Sequence, residues 1–394
     1  MSVLATNAGL SARPVSRAAG FRVELLGDWK QAIARWRDES PSTPFQHPEW
    51  YDAWYRAFAG AEGVAPLIAV VTDASTGEPA MLLPLIRRRQ GRIAVIEFAD
   101  LDLTDYNAPF LGSAAPRDAT AVRELWHSLL SALRRTPDAA DLVRFRKVAV
   151  ELGGKPNPLA LLDTAGSCAL NGNLVTTGED YDAWRYTLEK SVRKELERSW
   201  RVFTRNPAAS FALLTDADQA QQILSTTETQ QGTRMRSLGM NYVLDDASRA
   251  AFYRNLVRNS VGNGYVLVSA LTVGDEVVAT LLGIRTGSRY VMIRISNAGE
   301  KWSNCSPGRL IIERTMAALH RDGVREFDFS VGNYAYKRRF GVTPLPLLDI
   351  SVALSWRGWP FALRDHAVGV LRNHPQLDAR FRRMFGKALS REEN

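Results

Sequence analysis

Residues 306–341 read SPGRLIIERTMAALHRDGVREFDFSVGNYAYKRRFG, and they parse as helix, turn, strand and polar loop. Ser306 is a favoured N-cap type, and Pro307 follows at the first helical position, where its missing N–H costs nothing. Leu310, Ile311, Met316, Ala317 and Leu319 recur at helical spacing, and Gly323 suits the residue that ends a helix. Residues 324–329 then read as a short strand. It runs into Ser330-Val331-Gly332-Asn333, a turn that brings Asn333, Tyr334, Tyr336, Lys337 and Arg338 to one end of a sheet. The start of such a helix offers unpaired N–H groups and a positive dipole end, suited to a phosphate or pyrophosphate. Gly308 and Arg309 in its first turn allow a large anion to approach. Pro-Gly before an apolar helix is also simply a helix start, so the local pattern leaves both readings open.

Upstream, residues 265–273, 276–284 and 289–295 are strand-like runs separated by Gly274-Asp275 and Thr286-Gly287-Ser288. This spacing predicts an antiparallel meander. Before it come a charged helix over 180–201, a strand over 209–215, and helices over 218–232 and 248–261. Gln230, Gln231, Thr233, Arg234 and Arg236 form a polar patch between those last two. Downstream, residues 347–354 supply a late strand. A rougher copy of this order occupies residues 21–150. It has a strand at 21–26, helices near 28 and 48, strands near 67, 80 and 93, and a helix at 118–134. The matched order predicts an α/β (α+β) chain of two similar domains, 21–165 and 175–355, each a mixed, mostly antiparallel sheet flanked by helices. Residues 151–173 read as the passage between them.

The ends differ from the middle. Residues 1–20 lack the apolar core of a signal peptide and read as a disordered leader. Residues 356–394 form a basic amphipathic tail. Trp356, Trp359 and Phe361 precede a final helix with Leu377, Phe381, Met384 and Phe385 on one face and Arg380, Arg382, Arg383 and Lys387 around them. That is the composition of a membrane-surface anchor. A helix packed on the second domain is the plainer reading.

At 394 residues, with 45% hydrophobic and 23% charged side chains, the chain exceeds one typical globular domain. No uncharged apolar run is long enough to predict a spanning helix. Cys168 and Cys305 are the only cysteines, and the five histidines are dispersed, so neither a disulfide framework nor a metal site is expected. This usage suits a reducing, cytoplasmic compartment. The formal charge of +8 suits an anionic partner: nucleic acid, acidic lipid headgroups or a phosphorylated cofactor. No nucleic-acid module is recognisable, so nucleic acid is not the expected partner.

Phe45-Gln46-His47-Pro48-Glu49-Trp50, the Asp105-Tyr106 excursion, Ser306 to Leu310, and Phe327-Asp328-Phe329 through Tyr336-Lys337-Arg338-Arg339-Phe340 together resemble one family. It is the CelD/BcsL group of the GNAT N-acyltransferase superfamily, associated with cellulose biosynthesis and related to the Fem-type transferases with paired GNAT-like domains. The resemblance covers roughly residues 21–355. It implies acyl-CoA as co-substrate, with no permanently bound cofactor, held by the second domain. Ser306, Gly308, Arg309 and Leu310 would then lie at the pyrophosphate. The loop departs from the glycine-richer pattern of that superfamily, since it offers only Gly308 with Arg309 beside it.

The implied reaction is transfer from a CoA thioester to an amine. The amine must be uncharged and close to the thioester carbonyl, and the developing oxyanion must meet donors. Lys337, Asp328, Asp105 and Tyr336 are the candidate catalytic residues: carboxylates for the amine proton, tyrosine or lysine for orientation or for the leaving thiolate. Asp328 and Lys337 could equally form a structural ion pair. His47, Tyr106, Asn333, Tyr334 and Arg236 are candidate acceptor contacts. The basic tail favours a lipid amine such as a sphingoid base, made at the inner face of a membrane, over an amino sugar of an envelope polysaccharide. A Fem-like transferase using aminoacyl-tRNA and a non-catalytic membrane- or glycan-binding scaffold are the competing readings.

Overall fold

The computed structural model describes residues 15–17, 20–36, 43–332 and 334–373. Asn333 and the final helix expected over 375–394 lie outside them. The described chain has mixed α/β architecture, with mostly antiparallel sheets flanked by helices in two compact units.

The units are not sequential. One comprises Met1–Ser42, Gly60–Leu170 and Pro346–Asn394, and the other Thr43–Ala59 and Asn171–Leu345. The sequence reading drew its spans along the chain and did not foresee that 43–59 joins the second unit. The physical reason is aromatic packing. In the helix Pro48–Phe58, Trp50 and Phe58 lie against Phe252 at ring separations of 5.0 and 6.3 Å, and Trp50, Trp54 and Phe252 are fully buried. Period and composition show that this helix is amphipathic, but not which core receives it.

In the first unit, an antiparallel sheet runs in the order Val15–Arg17, Phe21–Leu26, Ile68–Asp73, Pro79–Leu83, Phe110–Leu111. Pro84 breaks the expected strand over 79–87, and Leu85–Gln90 continues it in a different sheet with Ile93–Phe98 and Leu142–Ala149. The helix Ala119–Arg134 packs Leu125, Trp126, Leu129 and Leu133 into the core, and Asp118 caps it by accepting from the Thr120 and Ala121 amides. Lys147, φ 54°, is in the left-handed region inside a strand, and its ammonium bonds Asp100 at 2.8 Å and the Thr104 carbonyl at 2.7 Å.

In the second unit, Val266–Val273, Glu276–Thr286 and Arg289–Asn297 form the expected antiparallel meander, and Ala209–Leu214 pairs antiparallel with the first of them. The helix Pro307–Arg321 then returns the chain to Glu326–Asp328. That strand pairs in parallel with Arg289–Val291 and antiparallel with Leu174–Thr176. The last pairing corrects the reading of 151–173 as a passage, because Ala165–Thr176 is a strand. Its Gly, Asn and Ser content hid it. The charged helix also divides, into Tyr181–Thr187 and Lys190–Phe203.

Candidate active site

Two features of the second unit mark a candidate site where its parallel strands part. The first is a divergence. Glu326–Asp328 pairs with only the first three residues of Arg289–Asn297, while that strand runs on through Asn297. Beyond Val291 the strand edge is left to whatever lies between the two. The second is a β-bulge. Leu282 faces Arg294 and Gly283 faces Met292, so Ile293 is an extra residue with no opposite number. A bulge re-aims the strand beyond it and is common beside active sites.

The bulge changes which face each side chain meets. Tyr290, Met292 and Ile295 pack with Leu310, Ile311 and Met316 of the helix Pro307–Arg321. Arg294 and Ser296 instead reach Gln231 and Gln230 of the helix Ala217–Ser237. In an unbulged strand Met292 and Arg294 would share a face. Ser296 completes a buried chain, bonding Gln230 and, at 2.7 Å, the Thr280 hydroxyl, which meets Thr227 at 2.7 Å. Gly283 has a steric reason: a Cβ there would lie 2.3 Å from the Tyr290 ring.

At the start of the helix Pro307–Arg321, Ser306 occupies the cap position but not as expected. Its backbone is left-handed, φ 46° and ψ 56°, and its side chain makes no capping bond. Pro307 has no N–H, and the Gly308 amide makes no hydrogen bond among the described residues. The Ser306 hydroxyl turns instead to Glu195 and accepts from Arg309 at 3.1 Å. Glu195, on the helix Lys190–Phe203, pairs with both Arg309 and Arg339, the latter at 3.1 Å. A carboxylate thus already sits between two guanidinium groups at the amide-rich end of a helix, where negative charge is favoured. Glu195 was missed in sequence because it is one charge among many on its helix. Leu310, by contrast, is fully buried in the core, so its side chain packs rather than binds.

The loop after Asp328 carries the other expected residues. Asp328 is buried, ion-paired with Arg289, and accepts the Ser330 amide at 2.7 Å. Lys337, 2% exposed on the short helix Ala335–Arg338, donates to the carbonyls of Val331 at 2.6 Å and Ser330 at 3.3 Å. Its ammonium lies 5.3 Å from the Tyr334 ring centroid. Tyr334 is exposed and stacks on Tyr336, whose hydroxyl burial pushes up to about 12. Asn173 secures the same loop, donating to the Ser330 and Gly332 carbonyls.

Several expected residues lie elsewhere. Asp105 and Tyr106 belong to the first unit, where Tyr106 is buried and Asp105 adds to the negative field around Lys147. His47 caps the helix Pro48–Phe58, accepting the Glu49 amide at 3.4 Å, and stacks on Tyr265 at 4.1 Å. Burial holds its imidazole below the usual histidine range. Arg236 is exposed and paired with Asp245 at 2.7 Å.

A family model described as an acetyltransferase (GNAT) domain matches residues 190–338, which include the bulged strand, the helix start and the Lys337 loop. Among solved structures, FemX is similar with a TM-score of 0.56 and 10% identity, over 82% of this chain and 95% of that one. L-PGS from Bacillus licheniformis (TM-score 0.48, 9% identity, 86% and 96% coverage) and a tandem GNAT protein from the clavulanic acid biosynthesis pathway (0.47, 12%, 84% and 99%) are also similar. At 10% identity the FemX likeness speaks for the fold alone. No curated protein matches the sequence. Residues 190–338 thus match a GNAT domain, and the chain shares the fold of FemX. Among the described residues no helix is long and apolar enough to cross a membrane.

Proposed function

We propose that the chain is an acyl-CoA-dependent N-acyltransferase of the CelD/BcsL type, transferring an acyl group from a CoA thioester to an amine. The observation that carries this reading is the bulge at Ile293 on a strand that diverges from its parallel neighbour. An open strand edge can bond the two amides of the pantetheine arm in the manner of an added strand. The unopposed Ile293 amide is then the donor for the thioester oxygen, which becomes an oxyanion as the amine attacks. At the far end of the arm, Gly308, Arg309 and Arg339 receive the pyrophosphate, displacing the Glu195 carboxylate.

The amine attacks the thioester carbon, the C–S bond breaks, and one amine proton must leave. Asp328 already serves Arg289 and the Ser330 amide, so a water chain is the better acceptor for that proton. Tyr336 stays protonated at neutral pH and can donate a hydrogen bond to the departing thiolate. Lys337 and Asp328 hold the loop that carries it. Exposed Leu238, Met240 and Val243 near the 217–237 helix support an acceptor at a lipid surface. A lipid amine fits this better than an envelope amino sugar.

The test is thiol release from acetyl-, octanoyl- and palmitoyl-CoA by the purified chain, with mass analysis of amine products. Release that requires both thioester and amine supports the reading. Transfer that is sensitive to ribonuclease and indifferent to CoA thioesters would replace it with a Fem-like donor. Glycan or vesicle binding with no thioester binding would leave a scaffold.

A further inference from the structure

Arg294 follows the bulge directly and is 7% exposed. Its Nε donates to the Gln231 side-chain oxygen at 3.2 Å, and its Nη2 donates to the same oxygen and to the Tyr242 hydroxyl at 2.6 Å. The guanidinium lies 4.7 Å from the Tyr253 ring centroid. Its Nη1 is buried and makes no hydrogen bond. Among the described residues no carboxylate is within ion-pair distance. Glu228 pairs with Arg254 through Oε2, leaving its buried Oε1 without a hydrogen bond, and Asp245 pairs with Arg236.

We propose that Arg294 binds an oxyanion, carboxylate or phosphate, carried by the amine acceptor, so that the enzyme selects acidic amines. This deepens the acyltransferase reading and rests on it. A guanidinium cannot shed its proton, so a buried one needs a counter-charge or is costly to keep. Gln231, Tyr242 and Tyr253 hold and orient the group without neutralising it. Fastening the helix to the strand does not need the charge, because Gln231 already donates to the Ile295 carbonyl at 2.9 Å. The arrangement is also built for close fit: Tyr242 sits over Gly232, where a Cβ would come within 3.3 Å of its ring.

Position gives the charge its role. Arg294 is one residue from the amide proposed to hold the thioester oxygen. It also faces away from the Pro307–Arg321 helix, whose start is proposed for the nucleotide. An anion on Nη1 would thereby lie on the opposite face of the strand from the nucleotide, the face this reading leaves to the acceptor. Arg294 would act by binding and positioning, with no part in proton transfer.

Matched acceptors test this with one CoA thioester as donor: ethanolamine against O-phosphoethanolamine, and propylamine against β-alanine. Wild type should favour the anionic member of at least one pair by about ten- to a hundred-fold in kcat/KM, the worth of a charge-assisted hydrogen bond. Which pair shows it identifies phosphate or carboxylate. In Arg294→Gln the ratio should fall to near one, and in Arg294→Lys to an intermediate value. A wild-type ratio near one for both pairs overturns the proposal, whatever the variants do. Thermal melting with inorganic phosphate or β-alanine provides a readout that needs no turnover. Stabilisation of wild type but not of Arg294→Gln supports the anion site even if no thioester is consumed, in which case the transferase reading alone fails. Equal stabilisation of both proteins, or of neither, counts against the site.

Discussion

Replacing Arg309 by Ala isolates the proposed pyrophosphate contact. In the ligand-free arrangement the Arg309 guanidinium is about one-quarter exposed, pairs with Glu195, and donates to the Ser306 hydroxyl at 3.1 Å. A charge-assisted hydrogen bond to phosphate contributes roughly 1.5–3 kcal/mol. Exchanging it for the partly exposed Glu195 pair gives back up to about 1 kcal/mol. The net of about 0.5–2 kcal/mol corresponds to a roughly two- to thirty-fold weaker Kd for CoA. Glu195→Gln should act in the opposite direction, tightening CoA a few-fold, because Arg309 and Arg339 are released from a competing carboxylate. Titration calorimetry with CoA and with pantetheine separates the contributions, since pantetheine lacks the phosphates. Both effects should shrink as salt is raised. If Arg309→Ala leaves CoA affinity intact, or weakens pantetheine equally, the anion does not meet this helix start and the reasoning fails.

Lys337→Met removes the donor to the Ser330 and Val331 carbonyls, and should lower the melting temperature by roughly 3–10 °C. Acyl transfer should fall about ten-fold; wild-type melting and kcat/KM together would remove Lys337 from both roles. Gly283→Ala forces a Cβ against the buried Tyr290 ring beside the bulge, which should cost about 1–3 kcal/mol in denaturant unfolding. An unchanged midpoint would show that the strand adjusts freely. Burial lowers the His47 pKa in the folded chain, so the unfolded chain binds more protons. The stability it contributes is present above about pH 6.5 and is lost as pH falls through the lowered folded value. His47→Asn keeps a capping side chain and should flatten that acid limb; an identical pH profile would refute the assignment.

Much of the second unit was legible locally. The meander at 266–297 announced itself through alternation and glycine turns, and the helix after Ser306 through Pro307 and its apolar stripe. These signals depend on near neighbours in sequence, where backbone sterics and side-chain period act. The strand Ala165–Thr176 was not legible, since its partner Glu326–Asp328 lies some 150 residues away and its own composition reads as loop.

The site divides in the same way. Residue type and spacing singled out Gly308, Arg309, Tyr336 and Lys337, and excluded a metal centre or disulfide framework. Only the tertiary structure showed that Glu195 stands between Arg309 and Arg339, that Asp328 belongs to Arg289, and that Ser306 is left-handed. It alone revealed the bulge at Ile293, which turns Arg294 onto the opposite face from Met292. Helix and strand tendencies are set by each residue and its near neighbours along the chain. Ion-pair partners, strand register and face are set by groups far from one another along the chain, in the case of Glu195 and Arg309 by 114 positions, which meet only once the core has closed.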